Sequence, residues 1–143
     1  MKKTTLPASN FELWLLLGKV SHAINLVRQI ELNRYNVPVR QAHVLRVIQA
    51  LGPKATLSEV AKQVERKLPV ISVMAVTMEK SGLIKRIKTK PNVLRLELTR
   101  KGLEIANASK SSKSIDQIFS FLHDEERQQM ESILKRVLIN LKK

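Results

Sequence analysis

Three histidines, His22, His43 and His123, are the side chains of this sequence best suited to metal ligation or to proton transfer near neutral pH. None stands at i, i+4 from another ligand-type residue in a recognisable motif, and the chain has no cysteine to complete a thiolate site. Without thiols there is also no disulfide, no cysteine nucleophile and no sensing through sulfenic acid. Ser72, Thr77 and Ser81 lie far along the chain from any histidine, so nothing supports a Ser-His-acid triad. The four glycines form no Gly-rich loop of the kind that cradles nucleotide phosphates. Met74, Met78 and Met130 fall at helical core spacing and read as packing. The expectation is therefore no catalytic residue, no cofactor and no metal.

What remains is charge. Lys and Arg number 26 against 12 Asp and Glu, a formal net charge of +14. The excess is uneven: the segment from Leu83 to Gly102 alone carries +6. So dense a run with almost no acids reads as a phosphate-binding element, and the overall excess favours a polyanionic partner. The 143 residues suffice for one domain with an extension, and 43% hydrophobic residues can build a core. The longest wholly apolar run, Leu13 to Leu17, is far short of the ~20 residues of a membrane span. Lys2 and Lys3 are placed to begin a leader, but Glu12 and Lys19 bracket an apolar stretch too short for one. A soluble cytoplasmic protein with no membrane partner is expected.

The elements that must position these charges follow from pattern. Ser9-Asn10-Phe11-Glu12 is a capping box opening a helix with Leu13, Leu16, Leu17, Val20, Ile24, Val27 and Ile30 on a broad stripe. Trp14, Leu15 and Leu26 carry the apolar surface further round. Such a helix needs cover on more than one face: one from its own domain, the rest from a second subunit. Asn33 to Val37 reads as a turn. Pro38 opens a second helix burying Ala42, Val44, Leu45 and Ile48, which Gly52-Pro53 ends. A second capping box, Thr56 to Glu59, opens a third helix with Leu57, Val60, Ala61 and Val64 inward. After the turn Glu65-Arg66-Lys67 comes a fourth helix, Leu68 to Lys80, with Ile71, Met74, Ala75 and Met78 inward and Gly82 as its stop.

These two helices form a helix-turn-helix candidate. The basic segment then reads as a hairpin: Leu94, Leu96 and Leu98 alternate with Arg95 and Glu97, and Pro91-Asn92 bends the chain back on Ile84 to Lys88. Thr99 caps a fifth helix. The Ser/Lys tract from Ser109 to Ser114 is expected to be an exposed, weak stretch of that helix. A sixth carries Met130, Ile133, Leu134, Val137, Leu138 and Leu141, with Asp124, Glu125 and Glu126 at its dipole-positive start. The fold class is mainly α with a small β-hairpin. Residues 1–36 are an N-terminal dimerisation helix, 37–102 a winged helix-turn-helix domain and 103–143 C-terminal dimerisation helices.

On PVRQAHVLRVIQALG (38–52), TLSEVAKQV (56–64), MEKSGLIKR (78–86), LRLELTRKG (94–102) and HDEERQQMESILKRVL (123–138), the sequence resembles the multiple-antibiotic-resistance regulator (MarR) family of transcription factors. The resemblance covers nearly all of residues 11–141. It implies a homodimer held by the first, fifth and last helices, a fourth helix in the DNA major groove and a wing on the flanking minor groove. Two departures stand out. The family's acid-x-basic wing tip is replaced by Lys90-Pro91-Asn92, so Lys88 or Lys90 must stand in for the missing arginine. The fourth helix presents Leu68, Val70, Ser72, Val73, Val76 and Thr77, with no arginine or asparagine to grip a base edge.

The reading is thus a homodimeric, sequence-specific DNA-binding transcriptional regulator, a repressor rather than an enzyme. Its double-stranded operator should be an inverted repeat, and A·T-rich, because valines suit thymine methyls. Expected DNA contacts are Arg66, Lys67, Val70, Ser72, Val73, Val76 and Thr77 on and before the fourth helix, and Arg86, Lys88, Lys90, Asn92 and Arg95 on the wing. The dimer interface is expected at Leu13, Leu16, Leu17, Val20, Ile133, Leu134, Val137, Leu138 and Leu141. Trp14, His43 and Arg46 are candidates for the pocket of a small-molecule inducer, by fold-level analogy. A sequence-tolerant architectural DNA protein is the alternative.

Overall fold

The computed structural model describes residues 6–110 and 112–142, so Lys2, Lys3 and Ser111 lie outside the described residues. Among the described residues seven α-helices and one hairpin follow in order: α1 (Asn10–Leu32), α2 (Val39–Leu51), α3 (Leu57–Val64), α4 (Leu68–Lys80), β1 (Ile84–Lys90), β2 (Val93–Leu98), α5 (Arg100–Lys110), α6 (Lys113–Phe119) and α7 (Asp124–Leu141). Two compact units divide the chain at Ser112 and Lys113. None of the described helices is long and apolar enough to cross a membrane.

In the first unit the core joins α2, α3, α4, the hairpin and α5. Leu45, Ile48, Val60, Ile71, Met78, Leu83, Ile84, Leu96 and Ile105 are all nearly inaccessible to solvent. Ser9 starts α1 as expected: its hydroxyl accepts from Glu12 N–H while its own N–H donates to the Glu12 carboxylate, both at 3.2 Å. Those bonds hold the Glu12 carboxyl below its ordinary pKa. At α3 only half of the expected box forms: Thr56 Oγ1 accepts from Glu59 N–H at 3.1 Å. The start of α2 is capped from a distance. Gln29 on α1 accepts from Val39 N–H at 2.9 Å and donates to Val37 C=O at 3.0 Å, doing what the Pro38 side chain cannot.

The hairpin is antiparallel, pairing Ile84 with Leu98 and Lys88 with Leu94, with an irregularity between Lys88 and Lys90. Asn92 makes the bend at φ 66°, a left-handed conformation asparagine tolerates. Leu96 N–H bonds Ala55 C=O at 2.7 Å, which fastens the hairpin to the start of α3. Where α4 ends, Gly82 takes φ +77°. Thr99 then ties the hairpin's two ends together: its hydroxyl donates to Gly82 C=O at 2.6 Å and accepts from Gly102 N–H at 3.1 Å. A Cβ on Gly102 would overlap the Leu83 carbonyl. Gly102→Ala should therefore destabilise the fold by about 1–3 kcal/mol, because backbone has to move to admit the methyl. Urea unfolding of the two proteins measures this; equal midpoints would mean that the cap has slack.

Two expectations need correction. The Ser/Lys tract is not an exposed continuation of the fifth helix: α5 stops at Lys110, and Lys113 begins a separate helix. The last helix is consequently the seventh. Ser109 is buried, with its hydroxyl donating back to Ala106 C=O at 3.0 Å and its carbonyl accepting from Arg28 Nη2 at 2.6 Å. Arg28 also binds Glu31 at 2.7 Å, and Ser112 donates to the same carboxylate at 3.1 Å. A small serine fits against α1, and the arginine takes the carbonyl that continued helix would otherwise use. The second correction concerns α1. Its own unit covers only the C-terminal part, and Leu32 is its one buried residue among those described.

In the second unit, His123 N–H donates to Glu126 at 3.0 Å at the start of α7, where Asp124 and Glu125 add favourable negative charge. Lys135 pairs with Glu131 at 2.9 Å along its exposed side.

Candidate nucleic-acid interface

A left-handed residue, Glu65 at φ 55°, turns the chain between α3 and α4. Arg66 N–H bonds Ala61 C=O at 3.1 Å across that turn, leaving the Arg66 and Lys67 side chains exposed. Helix α4 then shows two opposed faces. Ile71, Ala75 and Met78 are buried, whereas Val70, Val73 and Thr77 are exposed, Val73 to 69%. Ser72 and Val76 sit half-buried at the edge of the exposed face. The Thr77 hydroxyl donates to Val73 C=O at 3.3 Å, which leaves its lone pairs outward as acceptors. Val70, Val73 and Thr77 thus form a surface that the first unit itself does not cover.

Helix α2 flanks this face. Pro38, Arg40 and Gln41 line one open groove of about 540 Å³ together with Val70, Val73 and Thr77. Sequence reasoning missed Arg40 and Gln41. The signal was present, since Arg40, His43 and Arg46 recur every third residue on the side of α2 opposite buried Leu45 and Ile48.

The wing's charges divide into held and free. Arg86 is clamped, with its N–H and its Nε both donating to the Glu79 carboxylate at 2.9 Å. These bonds, the backbone one foremost, keep the Glu79 carboxyl below its ordinary pKa. Arg95 bonds Glu97 through Nη2 at 3.1 Å, and its Nε is buried without a hydrogen-bond partner among the described residues. Lys88 and Lys90 are exposed beside Asn92, and neither enters an ion pair among the described residues. Lys85, Lys88 and Lys90, rather than the two arginines, are thus the wing's available cations among the described residues.

Of the expected pocket, His43 and Arg46 lie one turn apart on α2, but Trp14 does not join them. His43 lines a small cavity of about 60 Å³ with Arg40, Val64, Arg66, Val70 and Met74. Trp14 leans instead on Phe11, with ring centroids 5.4 Å apart. The interface candidates Leu13, Leu16, Leu17 and Val20 on α1 are all exposed, as are Ile133, Leu134, Val137, Leu138 and Leu141 on α7. Among the described residues no three His, Asp or Glu side chains gather where a metal ion could be held.

Two helices joined by a tight turn, the second bare on its outer face, followed by a basic hairpin, define a winged helix-turn-helix protein. Solved structures share this fold. Staphylococcus aureus MepR in its DNA complex is 25% identical over 89% of this chain and 96% of its own, with a TM-score of 0.83. AbsC, a MarR-family transcriptional regulator from Streptomyces coelicolor, is 18% identical over 96% of this chain and 99% of its own, also with a TM-score of 0.83. The organohalide-sensing regulator RdhR, bound to 2,4-dichlorophenol, is 22% identical over 96% of this chain and 88% of its own, with a TM-score of 0.80. No family model and no curated protein matches the sequence. The chain has the MarR-family winged-helix fold, the one its sequence resembles. Its neighbours are transcription regulators, a family without enzymatic activity.

Proposed function

We propose that this protein is a homodimeric, sequence-specific DNA-binding transcriptional regulator that represses by occupying a promoter. The observation that carries this reading is the bare outer face of α4, Val70, Val73 and Thr77, set on a helix-turn-helix beside a hairpin with free lysines. The DNA in the MepR complex supports the same partner. Helix α4 enters the major groove, where the valines pack against thymine methyls, and Ser72 and Thr77 bond to bases or phosphates at its margins. Arg66 and Lys67 meet phosphates ahead of it. Lys88, Lys90 and Asn92 reach the flanking minor groove or the backbone. Two such helices in a symmetric dimer call for an inverted-repeat, A·T-rich operator.

An inducer belongs to the same reading. RdhR holds 2,4-dichlorophenol, and a ligand that favours one spacing of the two α4 helices over another would set the affinity for DNA. Footprinting on the DNA around the protein's own gene tests the proposal. A two-fold symmetric protected region is expected. Protection of a single asymmetric half-site would contradict the dimeric reading, and protection without preferred position would favour the architectural alternative.

A further inference from the structure

The arginines of the first unit fall into two groups. Arg28, Arg86, Arg95 and Arg100 each have a carboxylate partner, and Arg34 lies over the Tyr35 ring at 5.8 Å. Arg40, Arg46 and Arg66 enter no ion pair among the described residues. All three stand near one side chain, that of His43. Arg40 and Arg66 share the small cavity lined by His43, and Arg46 lies one helical turn from it on α2. The remaining walls, Val44 on α2, Val64 on α3 and Val70, Ile71 and Met74 on α4, are apolar, so no acid lines that cavity among the described residues. Arg40 also lines the groove that opens onto Val70, Val73 and Thr77. Arg40, His43, Arg46 and Arg66 are all exposed, so water screens their mutual repulsion in the free protein while the planar guanidinium forks stay open to phosphate oxygens.

We propose that Arg40, Arg46 and Arg66, grouped round His43, form a phosphodiester-binding cluster beside α4, and that His43 joins it as the imidazolium when a nucleic-acid backbone phosphate is in place. This rests on the DNA-binding reading and moves much of the backbone grip from the wing, where Arg86 and Arg95 are already held, to α2. In the free protein His43 is exposed at the cavity rim, but partial desolvation against the cavity walls first, and then the charges of Arg46 and Arg66, hold its pKa below the usual imidazole value. A phosphate seated among the arginines cancels that repulsion and favours the charged ring. Binding then takes up a proton, so affinity rises as pH falls through the interval between the bound and free pKa values.

The test titrates the full chain against a random-sequence duplex, since phosphate contacts act on every sequence. Arg40→Ala and Arg46→Ala should each lower affinity by roughly fivefold to tenfold near 0.1 M salt and reduce the salt slope by about one. Between pH 8 and pH 5.5 the wild-type logarithm of affinity should climb with falling pH, with a limiting slope of about one proton. His43→Gln should flatten that climb, while His22→Gln, on the exposed side of α1, keeps it. Circular dichroism confirms that the variants fold. Wild-type protein that binds no duplex would overturn the DNA-binding reading itself. Duplex binding that is unchanged in Arg40→Ala and Arg46→Ala, or a pH climb that persists in His43→Gln, would overturn the cluster alone. So would an Arg40 and Arg46 dependence seen with vesicles of anionic phospholipid and not with the duplex.

Discussion

Aspartate placed at Leu134 or at Val137 should take the protein apart as an assembly and abolish tight DNA binding, while each chain keeps its winged-helix core. Leu134 and Val137 lie on α7 with Ile133, Leu138 and Leu141, all exposed in the single chain. Helix α1 shows the same character: Leu13, Leu16, Leu17 and Val20 are exposed, and so are Phe11, Trp14 and Ile30. Two helices this apolar are unusual on a monomer's surface and call for a second copy as cover. Burying a carboxylate in such an interface without a partner costs about 3–5 kcal/mol, enough to raise the dissociation constant by roughly two to four orders of magnitude. The loss of DNA binding follows because one α4 contacts only half of an inverted repeat. Sedimentation velocity of wild type and variants at micromolar concentration measures the first effect and gel shift the second. A folded wild-type monomer at that concentration would contradict the dimer.

The second large effect separates α4 from the wing. Thr77→Ala or Val73→Ser should cost on the order of 1–3 kcal/mol on the operator and far less on random DNA, because groups at base edges discriminate between sequences. Lys90→Ala should weaken both DNAs together and lower the salt slope by about one, as loss of a phosphate contact does. The structure sharpens this contrast by placing Val73 and Thr77 at the centre of the exposed face, and Lys90 at the hairpin tip free of any ion pair among the described residues. Arg86→Ala is the informative contrast: its partner is Glu79, so its first effect should fall on the seat of the wing against α4 rather than on the salt slope. Titrations of each variant against both DNAs at two salt concentrations decide. Parallel losses for Thr77→Ala and Val73→Ser on operator and random DNA would mean that α4 does not read bases.

Local rules made most of the fold legible. Ser9 and Glu12 reciprocate as a capping box must, and α4 follows the turn Glu65-Arg66-Lys67 and ends just before Gly82. The alternation of Leu94, Leu96 and Leu98 gave the hairpin its core face, and Pro91-Asn92 its bend. What local rules missed are pairings between distant residues. Ser109 looks like a solvated serine in a Ser/Lys tract, yet Arg28, 81 residues earlier, takes its carbonyl. Arg86 and Arg95 look like wing cations, yet Glu79 and Glu97 hold them. Charge counting finds a basic segment, but only the folded chain shows which cations have partners. The same blindness hid Arg40: on paper it is one more charge on α2, and in the fold it stands beside the bare face of α4.

Selection from random DNA shows whether this chain reads a particular sequence as a dimer. Duplexes bound by the full chain are selected from a random pool. The affinity for the recovered site is then compared with that for a scrambled duplex at physiological salt. An A·T-rich inverted repeat is expected, with half-site centres about 10–10.5 bp apart or a multiple of that, bound ~10³-fold or more tightly than the scrambled duplex. A selected pool with no shared sequence, bound no better than scrambled DNA, would contradict it.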